Sequence, residues 1–223
     1  MEYDILTKPS YSLVEVALEP GEKIVGESGA MTWIDGDITT ETTTRGGVFT
    51  GLKRKFLSGE SFFQNTYTAT GGAGTLGIAG GSAGDVVAHD MVDGELFLEK
   101  GAYLASESTI TCDPKFSGLR GFFNEGLFIL RCTGTGTLFF NAYGDIQEVD
   151  VDGQYLVDNG YAVAWEPTLE FQLTKARRIR SFLFGDQILL RFSGRGKLWI
   201  QSRSPQSLAN WVHPFRRVQR DNS

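Results

Sequence analysis

The chain is poor in the residues that most site chemistry needs. Its 223 residues include two cysteines, Cys112 and Cys132, and two histidines, His89 and His213. Two cysteines cannot build a disulfide framework or a Cys-rich zinc site, and they read as free, buried thiols in a reducing compartment. Two isolated histidines without a Cys/His cluster form no metal motif, and they read as structural or solvent-facing residues. An excess of positive charge is missing too. Lys+Arg total 21 against 27 Asp+Glu, a net charge of −6, which disfavours generic nucleic-acid binding. No apolar run approaches the ~18 residues that a membrane-spanning helix needs. The opening "MEYDILTKPS" has neither the basic nor the apolar region of a signal peptide. These absences together predict a cytoplasmic protein.

Glycine is what the chain has in plenty, at 28 of 223 residues and without a G-X-Y period. That is nearly twice the usual ~7%, so many tight turns are expected. The glycines recur in phrases. "SGESFFQNTYTATGGAGTLGIA" (58–79), "NEGLFILRCTGTGTLFFNA" (124–142) and "FGDQILLRFSGRGKLWIQSRSP" (184–205) each hold an apolar strand, a G-x-G turn (Gly72–Gly74, Gly134–Gly136 and Gly194–Gly196, expected at equivalent places) and a second strand opening with Leu. A second phrase starts at Glu19, Val92 and Val151, with glycines at Gly21, Gly94 and Gly153 and again at Gly29, Gly101 and Gly160. Gly94 and Gly153 are 59 residues apart, and Gly134 and Gly194 are 60 apart. Fixed-period self-similarity marks a repeat architecture. The expectation is one domain of three units of about 60 residues (about 1–87, 88–147 and 148–205), the first enlarged around "TTTRGGVFTGLKRKF". A C-terminal helix and basic tail occupy 204–223.

Short runs such as "ELFLE", "YAVAW", "LEFQL" and "ILLRF", rich in aromatic and branched residues, predict strands. Asp93-Gly94 and Asp152-Gly153 predict hairpins. One helix is predicted, with Ser204 as N-cap, Pro205 at its first position and Pro214 as its stop. The fold class is all-β. Because one small sheet unit cannot bury both faces, the three units are expected to share a core around a pseudo-threefold axis.

"FFNAYGDIQEVDVDGQYLVDNGYAVAWE" with "FSGRGKLWIQSRSP", together with "GESGAMTWIDGDI", "AGDVVAHDM" and "GAYLASESTITCDPKFSGL", resembles the altered-inheritance-of-mitochondria protein family. The likeness covers roughly residues 5–212. It implies a fold similar to the Trp RNA-binding attenuation protein, a β-sandwich of the double-stranded β-helix class repeated within the chain. It also implies homo-oligomers, and it carries no catalytic residues or cofactor.

Candidate chemistry is weak against the structural alternatives. Gly72–Gly77 satisfies G-x-G-x-x-G, but a dinucleotide loop must open a helix, and a hairpin is predicted here. Gly80-Gly81-Ser82-Ala83-Gly84 satisfies G-x-S-x-G without the helix a nucleophile elbow requires. The carboxylate pairs Asp90/Asp93 and Asp150/Asp152 fall where turns want Asp. No enzyme is predicted.

A third repeated element is more informative. Arg54, Lys55, Phe56 and Leu57 in the first unit, Arg120, Phe122 and Phe123 in the second, and Arg178, Arg180, Phe182 and Phe184 in the third put cations before large apolar residues. On one shared end they would form a docking face for a protein partner or an anionic membrane surface. The alternative is a set of lids on the core. The function predicted is a non-enzymatic scaffold that self-associates, with a trimer preferred. A small-molecule or RNA-binding module, by analogy with the attenuation protein, is the other possibility.

Overall fold

The computed structural model describes residues 1–44, 63–114, 128–175 and 188–216. The described residues are almost entirely β. In order, the strands are β1 (Glu2–Leu6), β2 (Leu13–Leu18), β3 (Lys23–Glu27), β4 (Met31–Thr44), β5 (Phe63–Ala79), β6 (Val86–Glu99), β7 (Tyr103–Glu107), β8 (Ile110–Pro114), β9 (Ile129–Asn141), β10 (Ile146–Asp158), β11 (Ala162–Trp165), β12 (Leu169–Lys175) and β13 (Ile188–Gln201). They join in one antiparallel network. One short helix, α1 (Pro205–Val212), follows, its start capped by the Ser204 side chain. The helix ends two residues before Pro214, which sits in a single 3-10 turn, His213–Phe215.

One pairing scheme is written three times. The second half of β5, Gly74–Ala79, lies between β2 and the first part of β4; its first half lies between β3 and the second part of β4. β9 is flanked likewise by the two halves of β6 and by β7 and β8. β13 is flanked by the two halves of β10 and by β11 and β12. Even the register slips recur, between Met31 and Trp33, Tyr103 and Ala105, and Ala162 and Ala164. We call β1–β5, β6–β9 and β10–β13 the first, second and third units.

The glycine motifs do different work from the hairpins predicted for them. Gly134–Gly136 and Gly194–Gly196 lie inside the continuous strands β9 and β13. Asp93-Gly94 and Asp152-Gly153 lie inside β6 and β10, opposite those same glycines. A long two-stranded ribbon can bend only where both strands tolerate it, and glycine supplies that tolerance. At Gly134, φ is +138° and an added Cβ would lie 2.4 Å from the Thr109 carbonyl oxygen. In the first unit Gly72 does not stand where Gly134 and Gly194 do. Ile38 pairs with Ala69, as Ile110 pairs with Gly134 and Leu169 with Gly194. Gly74 keeps its match to Gly136, so Gly72 falls in extra residues of β5.

The cysteines also correct the sequence expectation. Cys112 and Cys132 are direct register partners on β8 and β9, with Cα atoms 4.0 Å apart, and they form a disulfide. Cross-strand neighbours bring sulfurs together irrespective of their separation in sequence. They are buried, as expected, but they are not free thiols.

Among the described residues three apolar clusters form the core, and each is shared between units. Val14, Val16, Ile24, Leu76 and Ile78 of the first unit pack with Leu104 and Phe139 of the second. Leu96, Leu98, Leu138 and Phe140 of the second pack with Val163, Ala164 and Trp199 of the third. Phe97 and Ile129 reach into the third unit's cluster around Trp165 and Phe192. Each Val, Leu, Ile or Phe side chain among them contributes about 1.5–3 kcal/mol when fully buried. Among the described residues no cluster joins the third unit to the first.

Candidate interaction site

The units meet along strand seams. At the first seam β3 pairs with β7, setting Val25 opposite Ser106 and Gly26 opposite Ala105. The Tyr103 hydroxyl crosses it, donating to the Val25 carbonyl at 3.0 Å with the Ser106 hydroxyl 3.2 Å away. At the second seam β6 pairs with β11, Phe97 opposite Trp165 and Leu98 opposite Ala164. The rings of Phe97 and Trp165 lie 6.1 Å apart.

A third seam would join Gly153–Asp158 of β10 to Met31–Asp35 of β4, by the same correspondence. It is not made. Among the described residues β10 pairs only with β13, and β4 only with β5. The consequence is visible at one matched position. Val25 is 3% exposed and Phe97 is 5% exposed, whereas their equivalent Leu156 is 53% exposed. On the other edge Met31 is 42% exposed. Unpaired edges with apolar side chains are templates for pairing with another chain. Sequence reasoning missed Leu156 and Met31, because apolar residues in a strand read alike whether covered or bare. The 59-residue offset from Gly94 to Gly153 would have matched Leu156 to Phe97; only the strand pairing reveals that one is covered and the other not.

Acidic residues finish the two closed seams. Glu107 accepts a hydrogen bond from the Thr137 backbone N–H at 3.2 Å, and its equivalent Glu166 accepts from Lys197 at 2.9 Å. An aromatic ring also stacks edge-on at each: Tyr3 against Phe139, 4.9 Å between centroids, and His89 against the matching Trp199, 5.3 Å. Burial pushes the Tyr3 phenol up, with Asp90 adding to the rise. Burial pulls His89 below the usual histidine range, against the attraction of Glu166, Asp90 and Glu148 and with the help of Lys197.

The motifs singled out in sequence scatter. Gly72–Gly77 continues as strand, and no helix opens there. Ser82 is an exposed residue between β5 and β6. His213 is exposed beyond α1, far along the chain from the half-buried His89. Asp90 accepts from the Thr137 hydroxyl at 2.8 Å, and Asp152 pairs with Arg195 at 2.8 Å; both lie on strands rather than beside hairpin turns. Among the described residues no group of three or more His, Cys, Asp or Glu could hold a metal ion.

The basic–aromatic residues Arg54, Lys55, Phe56, Leu57, Arg120, Phe122, Phe123, Arg178, Arg180, Phe182 and Phe184 lie outside the described residues. Strand partners stand at or near the ends of their segments: Thr44 with Phe63, Pro114 with Leu130, and Lys175 with Ile188.

Known proteins share this architecture. An X-ray crystal structure of a Streptococcus pyogenes protein superposes with a TM-score of 0.80 at 27% identity, covering 96% of this chain and 99% of that one. An uncharacterised protein of Streptococcus pyogenes serotype M6 is 28% identical over 226 residues, 96% of this chain and 91% of its own length. The family model of the mitochondrial biogenesis protein AIM24 matches residues 3–203, and the chain belongs to that family.

Proposed function

We propose that this protein is a non-enzymatic scaffold that assembles head to tail with copies of itself, with a trimer preferred. The Gly153–Asp158 edge of one copy pairs with Met31–Asp35 of the next and completes the third seam. The observation that carries this is the contrast between buried Phe97 and exposed Leu156 at matched positions. In this arrangement three units of a double-stranded β-helix sandwich, similar to the Trp RNA-binding attenuation protein, are related by rotation. The third seam then favours an axis shared by several copies over a pseudo-threefold axis closed within one chain.

Light scattering on the eluting protein tests it. The wild type is expected at a small multiple of 24.5 kDa. Leu156→Lys, a charge on an exposed edge, is expected to shift it to the monomer without unfolding it. A monomeric wild type at micromolar concentration, or a Leu156→Lys protein of unchanged mass, overturns the proposal.

The basic–aromatic segments are a second docking face within the same proposal, for a protein partner. What supports it is that all three lie between matching strand pairs, β4/β5, β8/β9 and β12/β13. Replacing Phe122 and Phe123 with Ser is expected to leave the melting temperature near that of the wild type. A large drop assigns them to the core instead.

A further inference from the structure

Leu208, Trp211, Val212 and Phe215 follow the i, i+3, i+4, i+7 spacing of one helical face. A stripe of this kind ordinarily packs on a core. Here none of the four is buried: Trp211 is 67% and Phe215 73% exposed, and Leu208 and Val212 are 42% and 44% exposed. The two rings lie 5.6 Å apart, so the exposed apolar groups are contiguous. Ser204, which caps the helix, is buried, so the helix is fixed to the sheet at its base and projects its stripe outward.

The segment is locally basic, as are the stretches 42–59 and 171–185. From Ser202 to Arg220 the sequence carries four arginines and no Asp or Glu, in a chain of net charge −6. Arg203 and Arg216 flank the stripe, and both are exposed.

We propose that α1 and the His213–Phe215 turn form an interfacial anchor for an anionic bilayer surface. Trp211, Phe215, Leu208 and Val212 enter the boundary between headgroups and acyl chains, where Trp is favoured, while Arg203 and Arg216 meet lipid phosphates. Each cation near such a surface strengthens binding on the order of five-fold. Docking of α1 against α1 of a second copy is opposed by the same charges, since it brings the exposed Arg203 and Arg216 of both copies together. The anchor does not depend on the assembly proposed above.

Flotation of the full chain with phosphatidylcholine vesicles, with and without phosphatidylglycerol, tests the proposal. Binding is expected to be at least about ten-fold greater with the anionic lipid, to fall in high salt, and to shift Trp211 fluorescence to the blue. The Trp211→Ser/Phe215→Ser variant is expected to keep its fold and its mass in solution while losing the vesicles. Arg203→Gln/Arg216→Gln is expected to lose the preference for phosphatidylglycerol. Equal binding to both vesicle types, no binding to either, or a double-serine variant that still floats overturns it. A double-serine variant of reduced mass also overturns it, by assigning the stripe to a contact between copies.

Discussion

The first and second units fill one matched place with opposite choices. In the second unit a small residue, Ala105, stands opposite a large one, Phe139; in the third, Ala164 stands opposite Trp199. In the first unit the large residue is on the other strand. Trp33 stands opposite Gly77, and a Cβ on Gly77 would lie 2.4 Å from the indole ring. Interiors are close-packed, so the volume shared by a cross-strand pair is constrained more tightly than either residue alone. Units that no longer match residue by residue therefore still match in register. The same holds between seams, where Phe97 and Leu156 are equivalent in register and opposite in burial.

The strongest way to test that second contrast is at Phe97. It packs among Ile129, Trp165 and Leu198 at the second seam. Phe97→Ala is expected to cost about 3–5 kcal/mol in denaturant unfolding, the range for a large core truncation. A loss under about 1 kcal/mol would mean that the seam adds little to the fold.

The swap of sizes is tested by reversing it. Gly77→Phe, which copies the second unit's choice, is expected to destabilise by about 1–3 kcal/mol or more, because it overpacks the Trp33 ring. Adding Trp33→Ala is expected to recover most of that loss. The coupling is read as a double-mutant cycle. Additive costs would show that the two side chains do not share one volume.

Much of the fold was legible because register leaves marks in sequence. The repeated phrases located the three long strands, and Ser204-Pro205 located α1. What misled was glycine. A D-G or G-x-G beside apolar residues reads as a hairpin from local chemistry, yet here Gly94 faces Gly134 and Gly153 faces Gly194 within paired strands that run on. Local propensity cannot tell a turn that reverses the chain from a bend that redirects a ribbon. The disulfide was hidden for the same reason, since it depends on β8 pairing with β9. The open edge was less legible still, because exposure is a property of what is absent beside a strand.

A smaller effect separates the two ring contacts at the closed seams, since an unfolded histidine titrates near neutral pH and an unfolded tyrosine at about pH 10. Folding holds His89 below its unfolded pKa of about 6.5. As pH falls through that value the unfolded chain takes up a proton that the folded chain does not, so stability drops. The drop levels off below the folded pKa. Glu166, Asp90 and Glu148 oppose it by favouring the charged ring, and Lys197 adds to it. His89→Gln is expected to flatten this part of the stability–pH curve, measured as the difference from wild type so that the carboxylates cancel. An identical slope in both proteins would remove His89 as its source.

The smallest expected effect on stability is at Leu156, and its size matters because Phe97 is its match. The residue is 53% exposed, and among the described strands β10 pairs only with β13. In the isolated chain, Leu156→Ala is expected to change unfolding by under about 0.5 kcal/mol, as for an exposed site. In the assembled protein the same side chain would be covered as Phe97 is, and its truncation would cost a buried contact. The measurement is therefore a pair of melts, one below and one above the concentration at which copies associate. A loss that appears only at the higher concentration places Leu156 in a seam between copies. A loss of several kcal/mol at both would make it a core residue of the single chain, and the contrast with Phe97 would disappear.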